Sequence, residues 1–178
     1  MCLITLKMIG SSSSYSGIKH GISRRRTKMT VEVYRVSQIW QLADVYTIRR
    51  QTKIHGSIPA KQIEFDEVWD QPYHYLLIEQ DGQPVGTCRL NFTHTDFAKI
   101  ERVSVIDGYQ GQGFGRLLIE KAEQWSQERG YHQVVITSLD TAIGFYQKLG
   151  YVPQGGAVVQ DDGVSTIYTE KQLLPAEV

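Results

Sequence analysis

Cysteine is nearly absent from this chain of 178 residues, which has only Cys2 and Cys88. That excludes a disulfide framework and fits a reducing, cytoplasmic setting. Excess charge of either sign is absent too. Nineteen Lys and Arg balance nineteen Asp and Glu, which removes the electrostatic case for nucleic acid or an anionic membrane as partner. No apolar run is long enough to span a bilayer, so no membrane association is expected. The histidines are few, and His55, His74 and His94 are scattered without metal-ligand spacing, so no metal is expected. No internal repeat is present.

What remains is a globular composition. Hydrophobic residues make up 41%, with ten Tyr, three Trp and five Phe, enough for one sizeable core. The first 28 residues differ from the rest, with a low-complexity "SSSSYSG" and a basic "SRRRTK". The apolar start "MCLITLKMIG" is interrupted by Lys7 and precedes the basic cluster, the reverse of a targeting peptide. Residues 1–28 therefore read as a disordered extension, as if translation began upstream of Met29. A single domain is expected over 29–178.

Along that domain, "MTVEVYRV" alternates like a strand. A helix follows from a Ser37 cap, with Trp40, Ala43, Val45, Tyr46 and Ile48 as its apolar stripe. Pro59 is placed to open a second helix, continued by "QIEFDEVWD". Its Glu64, Asp66, Glu67 and Asp70 are either a solvated face or a lure for a cationic substrate. Two strands flank Asp81-Gly82, a hairpin signal, and "AKIERVSV" is a third. "RLLIEKAEQWSQERG" reads as a helix ending at Gly130. "HQVVITSL" is a buried strand and "DTAIGFYQKLG" a short helix capped by Asp140. A last hairpin turns at Asp162-Gly163. The order is β-α-α-β-β-β-α-β-α-β-β.

The stretch "DGYQGQGFGR", Asp107 to Arg116, holds four of the sixteen glycines. A glycine-rich loop between strand and helix suits phosphate at a helix N-terminus, where unpaired N–H groups and the helix dipole attract an anion. ATP binding in a P-loop requires Gly-Lys-Ser/Thr, but here Arg116 and Leu117 follow Gly115. A dinucleotide fingerprint requires a third glycine that "GQGFGR" lacks.

Gln110, Gly113 and Gly115 spell Q-x-x-G-x-G, which resembles the signature of the GNAT superfamily of acyl-CoA-dependent N-acyltransferases. "AIGFYQKLGY", Ala142 to Tyr151, resembles that family's A-x-x-F-Y-x-K-x-G-F/Y segment, and "IERVSV" a third region. The likeness spans roughly Val31 to Leu174. Leu139 stands where the family often has a cofactor-contacting Asn. The resemblance implies an α/β (α+β) fold with a mixed, mostly antiparallel sheet flanked by helices. It implies an acetyl-CoA cosubstrate and an amine acceptor, small molecule or peptide. Gln110, Gly111, Gln112, Gly113, Phe114, Gly115 and Arg116 would then take the coenzyme A phosphates. Val103, Ser104 and Val105 would pair by backbone with its pantetheine arm.

Two residues are candidates for proton transfer. Tyr146 of the second motif is either the acid that meets the leaving thiolate, next to the cofactor, or a core aromatic. Glu101 is either the base or a solvated carboxylate. Alternation places Glu101, Val103 and Val105 on one strand face, with Ile100, Arg102 and Ser104 on the other. A non-catalytic acyl-CoA-binding module is the alternative function, and a homodimer is compatible with either.

Overall fold

The computed structural model describes residues 29–53, 56–68, 70–159 and 163–174. The expected extension over 1–28, His55 and the Asp162 of the last turn lie outside the described residues. The chain order is β1 (Val31–Arg35), α1 (Ile39–Arg49), α2 (Lys61–Glu64), β2 (His74–Gln80), β3 (Gln83–Asn91) and β4 (Ala98–Val105). Then come α3 (Phe114–Glu128), β5 (Gln133–Leu139), a 3-10 turn (Asp140–Ala142) leading into α4 (Ile143–Gln147), β6 (Val152–Pro153), β7 (Val158–Val159) and β8 (Ser165–Gln172).

One sheet runs β1-β2-β3-β4-β5-β8-β6, with β7 also on β8. Its pairings are antiparallel except β4 with β5, which run parallel. The expected order holds, with β6 as an added two-residue piece. Asp81 and Gly82 have φ of 51° and 76°, the two positive values a tight two-residue hairpin needs to match strand twist. α3 lays Leu118, Ile119, Ala122 and Trp125 on one face of the sheet. It ends as expected at Gly130, with φ 89°. There Gly130 N–H donates to the Gln127 carbonyl (2.8 Å) and Tyr131 N–H to the Ser126 carbonyl (3.0 Å). α1 covers the opposite face with Val45 and Ile48 against Tyr75 and Leu77.

Several expectations fail locally. The second helix opens at Lys61 after an Ala60 N-cap, two residues past Pro59, and Asp140 is the first residue of the 3-10 turn, whose N-cap is Leu139. The N-cap of α1 is Gln38, not Ser37. Gln41 Oε1 accepts from the backbone N–H of both Ser37 (2.9 Å) and Gln38 (3.0 Å). The second helix is a single turn that stops at Glu64. Its continuation would need the Glu64 carbonyl for the Val68 amide. Arg49 Nη2 takes that carbonyl instead, and Val68 N–H donates to the Tyr73 hydroxyl at 2.9 Å.

Arg49 is therefore the clip that sets this segment. It is 1% exposed. Its guanidinium bonds the Glu64 carboxylate (2.8 Å), the Glu64 carbonyl and the Glu67 carboxylate, and lies over the rings of Tyr46 and Phe65. Removing one partner of a buried ion pair strands the other charge without solvent. Arg49→Met is expected to cost about 3–5 kcal/mol. Urea unfolding measures it, and a loss under about 1 kcal/mol would show that the segment is held by packing alone.

Candidate functional site

The site forms where β4 and β5 part. Parallel strands of one sheet need a crossover between them, and α3 supplies it. The two strands register only at Ala98 with Val134 and Lys99 with Val135. Beyond those pairs a gap opens through the sheet.

β4 is also bulged. Arg89 faces Glu101 and Thr87 faces Ser104, so Arg102 and Val103 together stand opposite Cys88. Arg102 carries the excess with φ of 51°, a left-handed conformation that costs an arginine about 1–2 kcal/mol. The extra residue changes strand parity, and this overturns the expected faces. Ile100, Val103 and Val105 pack toward α3. Glu101 and Ser104 face α1, where Glu101 accepts from Arg89 (2.9 Å) and the Ser104 and Thr52 hydroxyls lie 2.6 Å apart. Glu101 thus shares its face with Ser104, not with Val103 and Val105.

On the α3 side a cleft of about 500 Å³ runs from the glycine loop to the gap. It is lined by Gln110, Gly111, Gly113, Gly115 and Arg116, by Val103 and Val105, and by Ala142, Phe145 and Tyr146 of the second motif. Ser104 points to the other face, and Gln112 does not line this cleft. Phe114 is buried in the core and its side chain does not line this cleft. Gln110 and Gln112 fold back to donate to the carbonyls of Val105 (3.0 Å) and Gly108 (2.8 Å).

The loop fits an anion. The N-cap of α3 is Gly113, φ 92°, which has no side chain to occupy the first-turn amides. That turn contains Arg116 and no acid. A Cβ built on Gly111 or Gly113 meets nothing within 4 Å, so the backbone there borders open space. At Gly115 the constraint is protein: a Cβ would stand 3.3 Å from Phe145 Cζ.

A second chamber of about 330 Å³ continues through the gap toward α1. It shares Val103, Ala142 and Tyr146 with the cleft and adds Glu101, Ser104 and Thr52. Tyr146 stands at the junction, 7% exposed, its ring edge-on to Phe145 and Tyr151. Burial, with a smaller push from Cys88, raises its phenol well above the usual value, so it stays protonated near neutral pH. The chamber brings Tyr146 and Glu101 together from opposite faces of the sheet. Sequence reasoning missed Thr52 and Ser138, which also line it, because no local pattern marks them.

The acidic segment is neither a solvated helix face nor a free anionic lure. Glu64 and Glu67 pair with Arg49, and Asp66 and Glu67 pair with Arg89. Arg102 reaches Asp66 (3.1 Å) and Glu64 (3.7 Å), and Lys99 reaches Glu101 (3.2 Å). Asp70 alone of the four is left exposed outside this web. Among the described residues no cluster could hold a metal ion, and no helix is long and apolar enough to cross a membrane.

A mostly antiparallel sheet split between two strands, flanked by helices, with a cleft ending at a helix N-terminus without a side-chain cap, defines the class as a mixed α/β fold. Comparison with known proteins makes it specific. The model described as "Acetyltransferase (GNAT) family" matches residues 41–151, and the chain belongs to that family. Uncharacterized protein YyaT of Bacillus subtilis strain 168 is 28% identical over 146 residues, covering 80% of this chain and 97% of the relative. Uncharacterized N-acetyltransferase CT2212 of Chlorobaculum tepidum is 29% identical over 114 residues, covering 62% of this chain and 71% of the relative. A crystal structure of a candidate N-acetyltransferase from Lactobacillus plantarum superposes with TM-score 0.73 at 27% identity, covering 81% of this chain and 99% of that one.

The web has a pH signature. Burial alone would raise the Asp66 pKa, but hydrogen bonding to Arg89 and the charges of Arg102 and Arg89 override it and hold it at about 2, below the usual 3.8. A carboxyl whose pKa falls on folding adds stability above its unfolded value and loses it as pH drops through its folded one. Asp66→Asn should therefore be less stable than the parent at pH 7, with the difference closing as pH falls from about 4 toward 2. Asp66 is partly exposed, so the gap is expected to be small. Denaturation midpoints across that range measure it, and a gap independent of pH would rule out the charge as its cause.

Proposed function

We propose that this chain is an acetyl-CoA-dependent N-acetyltransferase that moves the acetyl group directly to a primary amine in a ternary complex. The observation that carries the reading is the junction at Tyr146, where a cleft from the loop meets a chamber from the opposite face. Two ligands entering from opposite sides would meet there without an enzyme-bound intermediate.

Acetyl-CoA supplies an activated thioester and a thiol leaving group. Gly111, Gly113 and the first-turn amides of α3 bind its pyrophosphate, and Arg116 adds charge. Val103 and Val105 offer backbone and apolar side chains along the arm. An alkyl amine has a pKa near 10.4, so only about one in 10³ is a free nucleophile at pH 7. Glu101 takes the proton that the attacking nitrogen loses, directly or through one water. Its carboxylate is held in place by Arg89 and Lys99. As the C–N bond forms and the C–S bond breaks, Tyr146 gives its proton to the departing sulfur and regains one from solvent. The acceptor is an amine, small molecule or peptide. The acids near the chamber are matched by Arg49, Arg89, Arg102 and Lys99, so among the described residues this web carries no excess negative charge to select a polycation.

Thiol release from acetyl-CoA with a panel of primary amines tests the reading. Tyr146→Phe is expected to lower kcat about tenfold or more while calorimetry finds acetyl-CoA affinity nearly unchanged. Glu101→Gln should lower kcat by a similar factor with little change in acetyl-CoA affinity. Equal turnover in both variants would return the two residues to packing and ion pairing. Binding of acetyl-CoA without transfer to any amine would identify an acyl-CoA-binding module instead.

A further inference from the structure

Two buried side-chain polar atoms among the described residues lack a hydrogen-bond partner: Glu67 Oε2 and Ser138 Oγ. Glu67 already accepts through its other oxygen from Arg49, Arg89 and Tyr75. Ser138 has no second polar atom. It is 3% exposed, and its one hydroxyl meets no described donor or acceptor. Burying a hydroxyl without a partner forfeits its hydrogen bonds to water and destabilises the fold. Alanine would fill the same space on β5 without that cost.

Ser138 is one of the residues lining the chamber that Tyr146 and Glu101 share, with its hydroxyl oxygen covered in the empty protein. Which side of the sheet it serves follows from strand parity. β5 pairs with β8 in unbroken register from Gln133 to Leu139, so its alternation holds throughout. Val134 and Ile136 belong to the core under α3, and Ser138 shares their face. It therefore looks to the Tyr146 side of the gap, while Glu101 and the Thr52–Ser104 hydroxyl pair approach from the α1 side.

We propose that Ser138 is a binding residue for the acyl-carrying arm, donating its O–H to an amide or thioester carbonyl oxygen of acyl-CoA at the mouth of the chamber. This rests on the acetyl-CoA reading above. An arm held by its anionic end at the α3 loop and laid along Val103 presents carbonyl oxygens to this side. The empty protein bears an unpartnered hydroxyl, and the bound ligand relieves it.

Ser138→Ala separates this role from a structural one, because the two predict opposite signs. Without ligand, the variant is expected to melt about 1–3 °C higher, since the orphan hydroxyl is gone. Its Kd for acetyl-CoA, by calorimetry, is expected to rise about fivefold to tenfold. Its Kd for 3′-phosphoadenosine 5′-diphosphate, which carries the phosphates but no arm, should stay the same. Unchanged acetyl-CoA affinity would overturn the proposal. So would an equal loss for both ligands, which would mean a distorted cleft, or a lower melting temperature without ligand. A raised KM for the amine with acetyl-CoA affinity kept would move Ser138 to the acceptor side and overturn it as well. If the unmutated protein binds 3′-phosphoadenosine 5′-diphosphate but acetyl-CoA no tighter, the arm makes no contribution and the inference fails while the loop reading stands. If it binds neither, the acetyl-CoA reading itself fails.

Discussion

The divergence of β4 from β5 is the constraint on which the rest depends. Antiparallel neighbours zip along their full length from a short turn, as β2 and β3 do around Asp81-Gly82. β4 and β5 are joined through a helix, run parallel, and pair at two residues before separating. That leaves edges in the middle of a sheet, which proteins normally cover or fill. Here the cleft and the chamber lie along them. The bulge at Arg102 turns the same divergence into a two-sided site by sending Val103 and Glu101 to opposite faces. The left-handed backbone of Arg102 is the strain that accompanies this bulge.

The ionic web makes that strained geometry sustainable. Arg49, Arg89 and Arg102 tie α1, β3 and β4 to Glu64 at the end of α2 and to the segment after it, and Lys99 pairs with Glu101 within β4. Four cations meet Glu64, Asp66, Glu67 and Glu101, so the cluster is close to neutral as a whole. Buried pairs of this kind add little net stability over well-packed apolar residues, but they penalise any arrangement that leaves one member alone. Their effect is positional. They hold a non-helical segment beside the chamber and orient Glu101, whereas a solvated acidic helix would have done neither.

The loop before α3 works by what it leaves out. A side chain at the N-cap could satisfy the first-turn amides internally, but Gly113 leaves them without a side-chain cap. Gln110 and Gln112 bond the loop's own carbonyls and stiffen it without blocking those amides. Gly115 serves another purpose, since it lets Phe145 of α4 approach the start of α3 and close one wall of the cleft.

Much of this was legible in the residues. Period and turn chemistry located β2, β3, β4, α3 and β5 within a residue or two, because their apolar faces are fixed by local repeat and their ends by Asp81-Gly82 and Gly130. The motif spacing placed Gln110, Gly113, Gly115 and Tyr146 in one site, and the structure brings them to one cleft. What failed was long-range. The second helix ended early because Arg49, fifteen residues upstream of Glu64, took a carbonyl the helix needed. The faces of β4 were misread because a bulge is set by the pairing of two strands and has no local signature at an arginine. The sequence by itself determined most of the strands and helices and the glycine-rich loop that opens α3, since those follow from periodicity and from backbone freedom at particular glycines. Tertiary structure alone decided that Glu101 and Tyr146 line one chamber, that Glu64, Asp66 and Glu67 are paired, and that the Ser138 hydroxyl is left without a partner, because each depends on groups far apart in the chain coming together.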